Sequence, residues 1–144
     1  MSLLSRYRVR PEWIDYNGHL SEGYYVLVFG FATDGVLNTI GADSEYRESA
    51  RCSLYTVEAH VRYLNEVGPD SELTVTSRIV AARGKKLRLC HEMTVDGVLA
   101  ATEEILALHV DTDSGRATPM PEHIAAKADE LLEPLPDYAG RAVG

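Results

Sequence analysis

Five consecutive residues, Asp15-Tyr16-Asn17-Gly18-His19, gather a carboxylate, a primary amide and an imidazole around a glycine. A carboxylate in such a loop can act as a general base or as a nucleophile. Gly18 permits an unusual backbone conformation or close approach of a ligand. Asn17 orients a water or a reacting group, or is a plain turn residue. His19 positions Asp15 or its loop. Asp15 also has a structural reading, as a residue that precedes a helix. Chemistry is favoured because Asn17, Gly18, His19 and a long helix follow it directly.

Ser21 is placed to cap that helix, and Glu22 suits its first turn. Tyr25, Phe29, Ala32, Val36 and Ile40 recur at helical spacing, widened by Val28 and Leu37. Gly30 and Gly35 are poor helix formers, so a closely approaching sheet is expected to compensate them. Gly41 ends the helix. Ahead of the loop, Arg6 to Arg10 alternate as a half-buried strand that Pro11 stops. Residues 43–51 read as a polar stretch. Four long strands follow, over Ser53–Val67, Leu73–Ala82, Lys86–Val95 and Val98–Val110. The turns are Gly68-Pro69-Asp70, Gly84 and Asp96-Gly97, the last being the clearest hairpin signal. On the first of these strands Tyr55, Val57, Ala59, Val61 and Tyr63 share one side; Thr56, Glu58, His60 and Arg62 share the other. Glu122 to Glu133 reads as a short helix, and the tail from Pro134 as loose. One helix covers only one face of such a sheet, so solvent or a second subunit must meet the other. A homodimer or homotetramer is expected.

The chain has 144 residues, one domain's worth, and 45% of them are hydrophobic. Its formal charge of -8 argues against nucleic acid as a partner, since phosphate backbones need a basic face. No run approaches the roughly 20 apolar residues of a membrane span, and no secretory leader is evident. Cys52 and Cys90 form no metal or redox motif and read as reduced thiols. A cytoplasmic location, no metal, no cofactor and no membrane partner are therefore expected.

The order of elements resembles the hot-dog fold, an α+β architecture in which an antiparallel five-stranded sheet wraps one long helix. Residues 8–20, Arg-Val-Arg-Pro-Glu-Trp-Ile-Asp-Tyr-Asn-Gly-His-Leu, resemble the active-site loop of the 4-hydroxybenzoyl-CoA thioesterase superfamily. There an acid stands three positions before a Gly-His or Gly-hydrophobic pair. Many members carry a second acid two residues earlier, where this chain has Trp13. The stretches Thr56–Leu64 and Ala101–Asp111 resemble that family's second and last strands. The Asp-Tyr-Asn-Gly-His loop, Tyr-Thr-Val-Glu-x-His and Leu-His-Val-Asp together resemble the thioesterases of carnitine breakdown, whose implied substrate is betainyl-CoA.

The resemblance implies an acyl-CoA thioesterase with coenzyme A as part of the substrate. Asp15 is then the catalytic carboxylate, as base or as nucleophile, with Asn17, His19 and Glu58 as auxiliaries. Backbone amides around Glu22 to Tyr24 can hold the oxyanion. Glu58, paired on its face with His60, can reach the site across a dimer interface or balance a quaternary ammonium. Trp13, Tyr24, Tyr25 and Tyr55 can cage that cation, or simply pack. Gly18 and His60 complete the substrate-binding set. Arg83, Lys85 and Lys86 are a candidate clamp for the CoA phosphates, or a solvated hairpin tip. The alternatives are another hot-dog activity, a dehydratase or hydratase relying on His19 or His60, and a non-catalytic acyl-CoA binding module.

Overall fold

The computed structural model describes residues 3–144. Strand β1 (Leu3–Arg8) leads through a 3-10 turn at Pro11–Trp13 and the Asp15 loop into helix α1 (Glu22–Thr39). A second helix, α2 (Ser44–Ala50), follows. Then come β2 (Cys52–Tyr63), β3 (Glu72–Arg83), β4 (Lys86–Val95) and β5 (Val98–Asp111). A two-residue strand β6 (Arg116–Ala117) and helix α3 (Glu122–Glu130) close the chain. The sheet order is β1-β3-β4-β5-β2, with β6 on β5, and every neighbouring pair is antiparallel. The outer edge of β2 is free.

The apolar stripe folds α1 onto the concave face. Tyr25, Val28, Phe29, Ala32, Val36, Leu37 and Ile40 are all buried. Gly41 adopts a positive φ of 95°, with Gly41 N–H bonded to Asn38 O and Ala42 N–H to Leu37 O. That pair of bonds is the Schellman stop for which glycine is suited. The core divides in two. One cluster gathers Val36, Ile40, Leu87, Leu89 and Ile124 at the C-terminal end of α1. The other gathers Trp13, Leu20, Tyr25, Phe29 and Met93 at its N-terminal end.

Several expectations are corrected. The polar stretch after Gly41 contains α2, capped by Asp43, whose carboxylate accepts from Tyr46 N–H at 2.9 Å. Ser21 stands at the N-cap of α1 but makes no side-chain capping bond. No sheet approaches Gly30 or Gly35: both are on the open side of α1, and a Cβ on either would meet nothing within 4 Å. A bulge at Val57 breaks the alternation of β2, because Thr56 pairs with Ala107 and Glu58 with Leu106. Thr56, Ala59 and Glu103 therefore line one hollow, while Glu58 and His60 line another with Arg88 and Glu104. The tail is tied down, not loose. Tyr138 OH donates to Glu92 and Gly140 N–H to Glu104, across a convex face carrying the Arg78–Glu92 and Arg88–Glu104 ion pairs. Exposed apolar residues group along α1 and β2, at Val26, Leu27, Phe31, Tyr55 and Val57, with others such as Leu4, Val98 and Leu135 exposed elsewhere.

Candidate active site

The Asp15 loop is a closed hairpin of its own. Asp15 N–H bonds to His19 O at 2.9 Å, Gly18 N–H to Asp15 O at 3.0 Å, and Ile14 bridges Leu20. Gly18 takes φ 81°, a region costly for residues with a Cβ. Oδ1 of Asp15 accepts from the amides of Asn17 (2.9 Å) and His19 (3.4 Å). The other carboxylate oxygen has no partner among the described residues. Asp15 is half-buried in a cleft of about 380 Å3, whose walls include His19, Glu22, Tyr25, Tyr63 and Glu66.

At the start of α1, Ser21 N–H is taken by Trp13 O and Tyr24 N–H by Ser21 O. Among the described residues the amides of Glu22 and Gly23 have no acceptor, whereas that of Tyr24 is occupied, so the expected donors at this helix start reduce to two candidates. Tyr25 OH donates to Asn65 O, and its ring meets Tyr63 edge-on at 5.0 Å. Burial is the main cause that raises the Tyr25 phenol above its ordinary value, so it stays a donor at neutral pH.

Asp15, Gly18, His19 and Tyr25 are thus brought together. Asn17 is exposed beside them and contributes its backbone N–H to Asp15. Trp13 is buried, stacked on Tyr24 at 5.6 Å, with the Arg10 guanidinium 5.7 Å from its ring. Tyr55 is exposed on β2 and lines neither the cleft nor the hollow beneath α1. The four aromatics do not assemble into a cage. Glu58 and His60 are absent from the cleft of their own chain. Arg83, Lys85 and Lys86 are exposed at the β3–β4 turn, at the opposite end of β3 from its pairing with Arg8. At the rise of an extended strand, the length of β3 is about 35 Å.

Three features were missed from sequence. Glu66, in the β2–β3 connection, lies 3.1 Å from His19 Nε2 and supplies a second carboxylate where Trp13 occupies the position of the usual one. Tyr63 forms a wall of the cleft. A polar row also crosses the concave face, where Ser77 pairs with His91 and His91 with Glu103. Thr33 Oγ1 donates to Phe29 O (3.0 Å) and therefore accepts from His91 Nε2–H (2.8 Å), leaving Nδ1 to accept from Ser77 OH (2.7 Å). Burial lowers the His91 pKa to about 4, so it is a locked neutral imidazole. Glu103 is only 4% exposed, and among the described residues nothing hydrogen-bonds or pairs with it; burial pushes its pKa up to about 7. The signal for both was their inward phase on β4 and β5.

No group of three or more metal-ligating side chains occurs among the described residues, and no single helix is long and apolar enough to cross a membrane.

Residues 9–128 match the model of the thioesterase-like superfamily. The chain is 37% identical over 144 residues to the betainyl-CoA thioesterase of Pseudomonas aeruginosa, covering 94% of this chain and 90% of that protein. It is 43% identical over 140 residues to the L-carnitine dehydrogenase/betainyl-CoA thioesterase of Agrobacterium fabrum, covering 94% of this chain but 29% of the larger one. Among solved structures, a putative thioesterase from Pseudomonas putida superposes with TM-score 0.85 at 32% identity, over 100% of this chain and 97% of the other. A hypothetical protein from Staphylococcus aureus, solved in complex with CoA, superposes with TM-score 0.92 at 24% identity, over 100% and 95%. This chain therefore belongs to the thioesterase-like superfamily and is a thioester hydrolase on the hot-dog fold.

Proposed function

We propose that this thioesterase hydrolyses betainyl-CoA, with Asp15 as the general base. The observation that carries the reading is the Asp15 cleft itself: a carboxylate with one oxygen held by two amides and the other open, beside two unoccupied helix-start amides. A water attacks the thioester carbonyl and Asp15 takes its proton. The Glu22 and Gly23 amides receive the oxyanion. The C–S bond breaks, the proton passes from Asp15 to the CoA thiolate, and the acyl group leaves as a carboxylic acid that loses its remaining proton to solvent.

Two observations support the acyl group. Curated relatives of this chain are named betainyl-CoA thioesterases. Asp15, Glu22 and Glu66 make the cleft acidic, with His19 as its only basic side chain among the described residues. The betainyl cation stands one methylene from the reacting carbonyl, so from beside the cleft it would feel that field, whereas an anionic acyl group would be repelled. The free thiols Cys52 and Cys90 suit a cytoplasmic setting.

The working unit in this reading is a homodimer formed along the β2 edge, which is free among the described residues. Two-fold antiparallel pairing of β2 with β2 carries the partner's Lys85 turn to the end of the sheet that holds Asp15. Arg83, Lys85 and Lys86 then clamp the CoA phosphates from the second subunit.

Thiol release over a panel of acyl-CoAs tests the assignment. Asp15→Ala should lower kcat at least about 100-fold with the fold intact; parental rates in that variant would remove Asp15 from the mechanism. Lys85→Ala with Lys86→Ala should raise KM for CoA esters more than it lowers kcat.

A further inference from the structure

We propose that the hollow between α1 and β2 receives the cationic end of the acyl group, with Glu103 as its counter-charge; this rests on the betainyl-CoA reading above. The hollow measures about 470 Å3. Its walls include Val26, Leu27 and Phe31 of α1 and Ala59 of β2, with Glu103 and Ile105 contributed by β5. Asp34, exposed on α1, adds a second carboxylate, and among the described residues no lysine, arginine or histidine lines the space.

Glu103 is the observation that points to a ligand. A carboxylate 96% withdrawn from solvent ordinarily has a cation or several donors beside it. This one has neither among the described residues, and its oxygens open onto the hollow. It does nothing for packing that an apolar side chain would not do at lower cost. Its neighbour His91 cannot serve it, since both ring nitrogens are engaged by Thr33 and Ser77.

The surroundings select the kind of cation. A primary ammonium brings three N–H donors that each need an acceptor. Of the two hydroxyls in the hollow, Thr33 already donates to Phe29 O and accepts from His91, and Thr56 is on the exposed rim. A quaternary ammonium has no N–H at all; it offers charge and methyl groups. Aliphatic walls, the ring of Phe31 and a desolvated carboxylate answer those two properties. Gly30 leaves room on the helix surface, where a Cβ would meet nothing within 4 Å.

The position suits the chemistry. The hollow is lined by α1 and β2, and so is part of the Asp15 cleft, through Glu22, Tyr25 and Tyr63; Tyr63 feels the charge of Glu103. Two-fold pairing of β2 edges would set the hollow near the axis, between the two Asp15 clefts.

The test compares betainyl-CoA with 3,3-dimethylbutyryl-CoA, its uncharged carbon isostere, in the full chain. The parent should favour betainyl-CoA in kcat/KM, and Glu103→Gln should collapse that ratio by about 100-fold. A parental preference that survives in Glu103→Gln overturns the inference and leaves the betainyl reading standing. A parent with no preference overturns the betainyl reading instead. Tetramethylammonium chloride then decides the site alone: it should compete with 3,3-dimethylbutyryl-CoA in the parent, with its inhibition constant raised at least about tenfold in Glu103→Gln. No competition, or equal competition in both, overturns the inference. If thermal unfolding shows Glu103→Gln to be misfolded, Asp34→Asn on the exposed side of α1 reads the same ratio, with an expected fall of about threefold; an unchanged ratio there overturns it.

Discussion

Asp15 and Glu103 are carboxylates in opposite circumstances. Asp15 is half-buried, with two amides holding one oxygen. Glu103 has no such support, and burial raises its pKa from 4.5 to about 7. Between those values the folded state holds a proton that the unfolded chain has lost, so Glu103 makes stability fall as pH rises from 4.5 to 7. His91 acts the other way. Its pKa drops from 6.5 to about 4, so the unfolded state binds the extra proton and stability falls as pH is lowered from 6.5 to 4. From 4.5 to 6.5 the two slopes oppose each other. Glu103→Gln should leave the His91 slope exposed and gain on the parent with rising pH, by about 3 kcal/mol at pH 7.5 relative to pH 4. Urea unfolding across this range measures it, and parallel profiles for parent and variant would refute it. Asp15 was legible in sequence because its loop is local: amides, glycine and carboxylate lie within five residues. The polar row was legible only in phase. Leu87, Leu89, His91 and Met93 alternate inward, yet whether an inward histidine finds partners depends on Thr33 and Ser77, far away along the chain.

At the scale of elements, α1 was read to within a residue or two because its stripe, its glycine stop and its burial all agree. What escaped were the features set by partners outside the element. Ser21 has the right type for a cap, but its side chain makes no capping bond. Ser21→Ala should therefore cost less than about 0.5 kcal/mol, against the ~1 kcal/mol of a working serine cap; a loss of 1 kcal/mol or more in chemical denaturation would show that the cap forms in solution. The Val57 bulge was likewise invisible, since an unbroken run of strand formers alternates equally well with or without an extra residue. That single residue moves Tyr55 to the face opposite Ala59 and brings Thr56 onto the face of Ala59. The tail lacks periodicity, so its hold on Glu92 and Glu104 through Tyr138 and Gly140 could be seen only in three dimensions.

For the molecule as a whole, the decisive asymmetry is where apolar surface remains. The convex face is covered by ion pairs and the tail, so it gives a second copy little to bury. The open side of α1 and the β2 edge expose Val26, Leu27, Phe31, Tyr55 and Val57 together with an unpaired row of backbone donors and acceptors. An edge of that kind invites pairing. Light scattering should therefore give a mass of twice 15.9 kDa, or a further doubling of it. Val57 is 53% exposed at the bulge, outside the β2–β5 ladder, so a lysine there adds charge to the edge without removing a core contact. Val57→Lys should shift the mass toward the monomer and keep the circular dichroism of the parent. If the CoA clamp comes from the second subunit, KM for CoA esters should rise in step with the monomer fraction and fall again as protein concentration is raised. A Val57→Lys monomer with parental KM at every concentration would confine the clamp to one chain and separate dimerisation from catalysis.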